Sequence, residues 1–279
     1  MSTADRLRAI SRGEYGVDLP VLHGRGILAI LGALLVAYLL VPFVAFFTWI
    51  DGFHLGRFAD PEVLGAIQYS LATAPVSTGL ATLFGVPLAY VLARSTFPGK
   101  PIVEAFVVLP LVLPPVVGGV MLLTAFGQFT PIGGFVAGLG VSLTDSYIGI
   151  VLAQTFVAAP FLVVTARAGF AAIDRDVERA ARSLGKGPLE TFWLVSLPLA
   201  RGSIVAGVVL TFARALGEFG ATMMTAYHPG TMPTEIWVTF VGEGVAATAP
   251  LVITLVGIGF AVVLAITSLN HLDAFGPGS

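Results

Sequence analysis

The chain has 279 residues, 56% of them apolar and 11% charged, with no cysteine, a net charge of -2 and a mean hydropathy of +0.94. Soluble domains carry about 25% charged residues, so this composition excludes an ordinary soluble globular protein and points to an all-α membrane protein of several spans. The missing cysteines exclude a disulfide framework and thiol chemistry, and the near-zero net charge gives no electrostatic reason for binding nucleic acid.

Residues 1–26 form a polar leader with Arg6, Arg8, Arg12 and Arg25, expected in the cytoplasm. Residues 27–50 are long enough to cross about 30 Å of hydrocarbon, and the length of both leader and apolar run argues against a cleaved signal peptide. Further spans are expected at about 68–92, 102–126, 147–170, 202–226 and 250–269. Six spans put both termini on one side of a single transmembrane domain over residues 27–279. Twelve of the fourteen Lys and Arg residues then fall on the face of the termini, against Arg57 on the other, with Arg214 inside a span. By the positive-inside rule that face is cytoplasmic.

The third span opens LPLVLPPVVGG. Each proline removes a backbone hydrogen bond and crowds the preceding turn, so Pro110, Pro114 and Pro115 predict a kinked or interrupted helix that shapes a pathway. Prolines are also commoner in membrane helices generally, which would account for a single one, and Pro160 in the fourth span is weaker evidence of a bend.

Residues 174–198 are the longest charged, amphipathic interval. Asp174 is placed to cap a helix, Asp176 and Glu178 suit its positive end, and Gly185 suits its stop. Val177, Ala180, Ala181 and Leu184 fall on one shallow apolar face, with Arg175, Arg179, Arg182 and Lys186 as a basic stripe. Pro188 can open a second segment, and Pro198 can restart a membrane helix. On charge alone this could be an ordinary cytoplasmic loop.

The fifth span contains TFARALGEFGATMMTA. Arg214 and Glu218 stand four apart near its middle, where an unpaired charge costs at least ~2.5–3.5 kcal/mol, so they are expected to neutralise each other. On a continuous helix Thr211, Arg214, Glu218, Thr222 and Thr225 share one polar face, with Ala213, Gly217 and Ala221 as a small-residue stripe beside it. That pattern suits a pathway lining; it also suits a buried ion pair that only holds the bundle. Residues 227–249, with Trp237, read equally as an external gate, a partner contact or a connecting loop.

No phosphate-binding loop of the G-x-x-x-x-G-K-[ST] type occurs, and no cluster of histidines with carboxylates, so neither catalytic residues nor a metal site are expected.

The spacing R-A-A, three residues, Gly185, nine residues, Val195, one residue, Leu197-Pro198 resembles the E-A-A-x3-G-x9-I-x-L-P signature of ABC importer permeases. It departs from that signature at Arg179, which stands where Glu is usual, with Glu178 one place earlier, and at Val195. The segments RALGEFGAT and LPLVLPPVVGG resemble the oxyanion branch, and the run from Thr222 to Met224 is more similar to molybdate and tungstate members than to sulfate ones. These likenesses cover about residues 101–226.

The resemblance implies a non-catalytic, multi-pass permease of the cell's inner or plasma membrane. It implies a homodimer, two copies of a cytoplasmic ATPase that binds ATP and magnesium, and an external oxyanion-binding protein. The coupling residues carried over are Glu178, Arg179, Ala180, Ala181, Leu184, Gly185 and Pro198. A sulfate permease is the near alternative, and a channel or secondary transporter the remoter one, since neither of the latter needs the coupling signature.

Overall fold

The protein is described by a computed structural model over residues 21–49 and 55–274. Most of the expected leader, with Arg6, Arg8 and Arg12, lies outside the described residues. All regular structure among the described residues is helical. The chain divides into two units, residues 1–53 and 54–279.

The first unit holds α1 (Val21–Trp49), with Pro42 inside it. Its apolar stretch Gly26–Thr48 is long enough to cross a bilayer.

The second unit is built on α2 (Pro61–Arg94) and α6 (Tyr147–Ala172), which pack along each other, with α10 (Arg201–Leu216) laid against both. Pro61 opens α2 at a position where its missing N–H costs nothing, and Glu62 sits in the positively polarised first turn. Ser146 caps α6 by accepting a bond from the Gly149 amide at 3.1 Å. The core between these helices is made mostly of small side chains: Ala66, Ala74, Ala81, Ala89, Ala153, Ala158, Ala166 and Ala215 are all buried. Small residues let helix backbones approach closely, which is what drives association where lipid removes most of the hydrophobic gain.

Two expected spans are broken. The third divides into α3 (Lys100–Val112) and α4 (Pro115–Phe126), inclined at 118° to each other. The break falls at Leu113 and Pro114, because Pro115 cannot donate to the turn before it and Pro114 forces Leu113 into extended backbone, φ -70° and ψ 137°. Pro110, expected among the kink residues, stands inside α3, and the helix continues past it. At 1.5 Å per residue α3 and α4 reach only about 20 and 18 Å, so neither alone crosses the hydrocarbon. Among the described residues four helices are long and apolar enough to span a membrane, or up to six spans if each bent pair counts as one.

Between α4 and α6 lies α5 (Pro131–Gly138), capped by the Thr130 hydroxyl. The chain then runs through α7 (Arg175–Ser183), α8 (Pro188–Thr191), a π-helical turn (Phe192–Ser196) and α9 (Leu197–Leu199) into α10. The helical pair Pro188–Leu199 and α10 meet at 75°, so the membrane helix restarts at Arg201 and not at Pro198. After α10 come α11 (Gly220–Thr225), α12 (Met232–Glu243) and α13 (Ala249–Ala274). The interval 227–249, which the sequence leaves as loop or gate, thus holds a capped helix of 12 residues.

Candidate functional site

Two places bring chemistry-bearing residues together: the segment from α7 to α9, and the break between α10 and α11.

In the first, the expected caps form. Asp174 Oδ1 accepts a bond from the Asp176 amide at 2.9 Å. At the other end Gly185 takes φ +87°, the Gly185 amide donates to the Arg182 carbonyl at 3.0 Å, and the Lys186 amide to Ala181 at 3.2 Å. That paired closure needs a left-handed residue, which costs a side chain about 1–2 kcal/mol and glycine nothing. Pro188 opens α8, and Glu190 Oε2 accepts from the Gly187 amide at 3.0 Å.

The surface of this segment carries both apolar and charged side chains. Ala180 and Val177 are exposed, Ala181 is half-buried, and Leu184 and Leu189 are 84% and 75% exposed. Arg179 pairs with Asp176 at 2.9 Å and Lys186 with Glu190 at 3.5 Å, both in solvent. Leu189, which no spacing argument singled out, extends the apolar knob of Leu184 onto α8. The segment thus exposes two leucines to solvent among charged side chains, an unusual placement for large apolar groups.

Glu178 does not share that surface. It is 2% exposed and turned inward, where its Oε1 accepts from Arg94 Nε at 3.0 Å and from Ser196 Oγ at 2.7 Å. Of the residues carried over from the signature, Glu178 is thus the one turned to the inside, held there by a buried guanidinium and a hydroxyl. Tyr90 meets Phe170 and Phe192 edge to face, with ring centroids 5.2 and 4.9 Å apart, and those two rings lie tilted to each other at 6.1 Å. Pro198, also carried over from the signature, is exposed on α9. With no N–H to offer, it leaves the preceding carbonyls without their usual donor, and the chain answers by widening to the π-helical turn, in which the Leu197 amide bonds Phe192.

At the second place, Arg214 Nη2 and Glu218 Oε2 are 2.6 Å apart, so the expected pair forms. The expected continuous polar face does not. α10 ends at Leu216, and the chain turns through Gly217, Glu218 and Phe219 before α11 begins. Glu218 also accepts a bond through Oε1 from the Ala221 amide at 2.7 Å, closing the first turn of α11. A helical wheel assumes one unbroken helix, and the carboxylate serves instead as the hinge between two.

The threonines consequently point inward. Thr211 and Thr222 are fully buried and Thr225 is 2% exposed. Thr211 donates to the Ala158 carbonyl of α6 at 3.3 Å, Thr225 donates to Ala221 at 2.9 Å, and the Thr225 carbonyl accepts from the Asp145 amide at 2.9 Å. Of the five residues placed on the polar face, Arg214 alone reaches the surface of the unit, with 27% of its side chain exposed. Ala213 and Gly217 are exposed beside it.

The break is braced from α4. A Cβ on Gly119 would lie 2.8 Å from both the Ala221 carbonyl oxygen and Met224 Cβ, so α4 and α11 touch backbone to backbone there. The Pro114–Pro115 break aims α4 at this contact. The two interrupted spans therefore meet at their interruptions.

At the opposite end of α2 from Arg94, Arg57 is ion-paired with Glu243 at the end of α12, and the Met232 amide donates to Ser70 Oγ at 2.8 Å. Trp237 is 46% exposed beside Phe219 and Phe240. Among the described residues no group of three or more His, Asp or Glu side chains could hold a metal ion.

Residues 85–274 match the family described as binding-protein-dependent transport system inner membrane component. A probable molybdenum ABC transporter permease protein of Haloferax volcanii is 46% identical over 270 residues, covering 94% of this chain and 97% of that one. A molybdate/tungstate transport system permease protein of Pyrococcus abyssi is 38% identical over 84% of this chain and 90% of its own. A molybdenum transport system permease protein of Mycobacterium tuberculosis is 40% identical over 85% and 90%.

Among solved structures, a bacterial alginate ABC transporter in complex with a pentasaccharide-bound periplasmic protein aligns at TM-score 0.67 and 17% identity, over 92% of this chain and 97% of that one. The MetNI methionine ABC transporter in inward-facing form aligns at TM-score 0.60 and 18% identity, over 73% and 92%. These two share its fold. With its apolar helices, its glycine-closed helix exposed ahead of a broken fifth span, and this match along most of its length, the chain belongs to the inner membrane components of binding-protein-dependent transport systems.

Proposed function

We propose that the chain is the permease through which an ABC importer carries molybdate or tungstate into the cell. The observation that carries the coupling half of this reading is the exposed knob of Ala180, Ala181, Leu184 and Leu189, closed by Gly185 and flanked by Arg179. It is the surface a cytoplasmic ATPase would grip. The substrate comes from the relatives' names together with the run from Thr222 to Met224.

The working unit is a homodimer of six-span subunits with cytoplasmic termini, joined by two copies of the ATPase, which bind ATP and magnesium. An external binding protein delivers the oxyanion near α12, with Trp237 at the membrane interface. This chain carries no catalytic residue. Arg214, half satisfied by Glu218 and partly exposed, offers donors to a passing dianion without the trapping strength of a free charge, as conduction requires. Thr211, Thr222 and Thr225 keep α10 and α11 in place around it, and Pro114 and Pro115 set the angle of α4. Nucleotide-driven closure of the ATPases moves α7 to α9, and with them α10, so that the pathway opens alternately to either side.

The test is ATPase activity of the reconstituted assembly with binding protein loaded in turn with molybdate, tungstate or sulfate. Stimulation by molybdate or tungstate is expected. Stimulation by sulfate alone makes the chain a sulfate permease, and uptake with no ATPase associated makes it a secondary transporter or channel.

A further inference from the structure

The buried face of α7 does something that the docking face cannot. Glu178 is almost fully enclosed in a helix whose neighbours Val177, Arg179 and Ala180 are exposed, and one of its oxygens, Oε1, collects Arg94 Nε at 3.0 Å and Ser196 Oγ at 2.7 Å. Arg94 is the last residue of α2, its side chain is 9% exposed, and its Nη2 donates to the Ile173 carbonyl at 2.9 Å. Ile173 follows directly on α6, and Ser196 ends the π-helical turn. Arg182 stands 3.9 Å from the other carboxylate oxygen. One guanidinium and one carboxylate thus tie together the ends of α2 and α6, the exposed helix α7 and the turn that leads into α10.

We propose that Arg94, with Ser196, is a positioning residue that makes α7 move as one body with the ends of α2 and α10, so that force applied at the docking face reaches the membrane helices. The proposal rests on the importer reading above. A buried ion pair contributes little net stability compared with apolar packing, so stability alone is a weak reason for placing one here. Its distinct property is direction. The meeting of the Tyr90, Phe170 and Phe192 rings is apolar contact, which tolerates sliding, whereas hydrogen bonds of 2.7 to 3.0 Å weaken steeply when the partners shift. Arg94 uses both arms of its fork at once, on Glu178 and on the Ile173 carbonyl, a geometry that a lysine cannot reproduce. α2 then carries the displacement over roughly 50 Å, its length at 1.5 Å per residue, to the end where Arg57 and Glu243 pair.

The experiment uses the whole assembly in proteoliposomes, with binding protein loaded with molybdate, and reads molybdate taken up per ATP hydrolysed. Misfolding lowers both rates together and leaves this ratio unchanged, so the ratio separates transmission from simple support of the fold. Arg94→Lys and Ser196→Ala are each expected to assemble with the ATPase and to lower the ratio roughly tenfold. The double variant is expected to be no worse than the poorer single one, because both changes cut one network. Ser196→Ala removes a single hydroxyl and decides the matter if Arg94→Lys does not assemble. A wild-type ratio in Ser196→Ala, or losses that multiply in the double variant, overturns the proposal. A wild-type chain whose ATPase does not respond to loaded binding protein overturns the importer reading instead, and the transmission role with it.

Discussion

Gly119 and Glu218 show how much rests on single positions where the two broken spans meet. Any side chain at Gly119 must displace the Ala221 carbonyl or Met224, both only 2.8 Å from where its Cβ would stand, and neither is the far end of a flexible chain. Gly119→Val is expected to destabilise the unit by about 1–3 kcal/mol, the usual range for overpacking, and to lower the melting temperature in detergent and uptake together. Glu218→Gln keeps a bond for the Ala221 amide but leaves Arg214 without a counter-charge. Because that guanidinium is only 27% exposed, the cost approaches the ~2.5–3.5 kcal/mol of a central charge. Reduced membrane insertion is the expected result, measured as the folded fraction by fluorescence-detected gel filtration. Wild-type yield and uptake would show that the pair is dispensable.

The segment from α7 to α9 has one exposed face and one buried face. On the proposed docking reading, Ala181, half-buried on the exposed side, leaves no room for a charged side chain against a partner. Ala181→Glu is expected to reduce co-purification of the ATPase by at least about tenfold, the effect of burying an unpaired charge in an interface, while the chain's own melting temperature stays within a degree or two. Unchanged ATPase binding would remove α7 from the interface.

The turn into α8 adds a pH dependence. The bond from the Gly187 amide, and then the nearby Lys186 charge, hold the Glu190 carboxyl below its ordinary value. Its folded pKa being the lower one, the capping contribution is complete above the ordinary glutamate value of about 4.3 and is lost as pH falls through the folded value. Fluorescence of Trp193, in a chain with Trp49 and Trp237 replaced by Phe, is expected to be flat from neutral pH downward and to change only in that acid range. Glu190→Gln should abolish the transition. An unaltered titration in that variant would assign it to another group.

For the whole molecule, the division of labour sets the expected assembly. On the proposed reading the ATPase is a separate subunit, so the chain alone in a nanodisc should hydrolyse no ATP, and native mass spectrometry of the active complex should give two copies of it with two of the ATPase. A complex with one permease chain would exclude the homodimer. α2 has Arg94 at one end and packs against α12, with α6 and α10 also packed against it.

Whatever depends on local chemistry was legible from residue order alone. The apolar load made the chain a membrane protein, and Asp174, Gly185 and Pro188 marked the ends of their helices, since a cap involves only residues a few positions apart. The four-residue spacing of Arg214 and Glu218 was enough to pair them. Which way side chains face was set by packing between segments distant in the chain. Glu178 was legible as a first-turn carboxylate, but its inward turn depends on Arg94, 84 positions away. Thr211, Thr222 and Thr225 looked like one polar stripe because a helical wheel presumes a continuous helix. The break at Gly217 becomes visible only where Glu218 caps α11 and Gly119 lets α4 press against it. Periodicity carries information along a helix axis, and the choice between lining a path and filling a core is made by what packs against that helix from elsewhere in the chain.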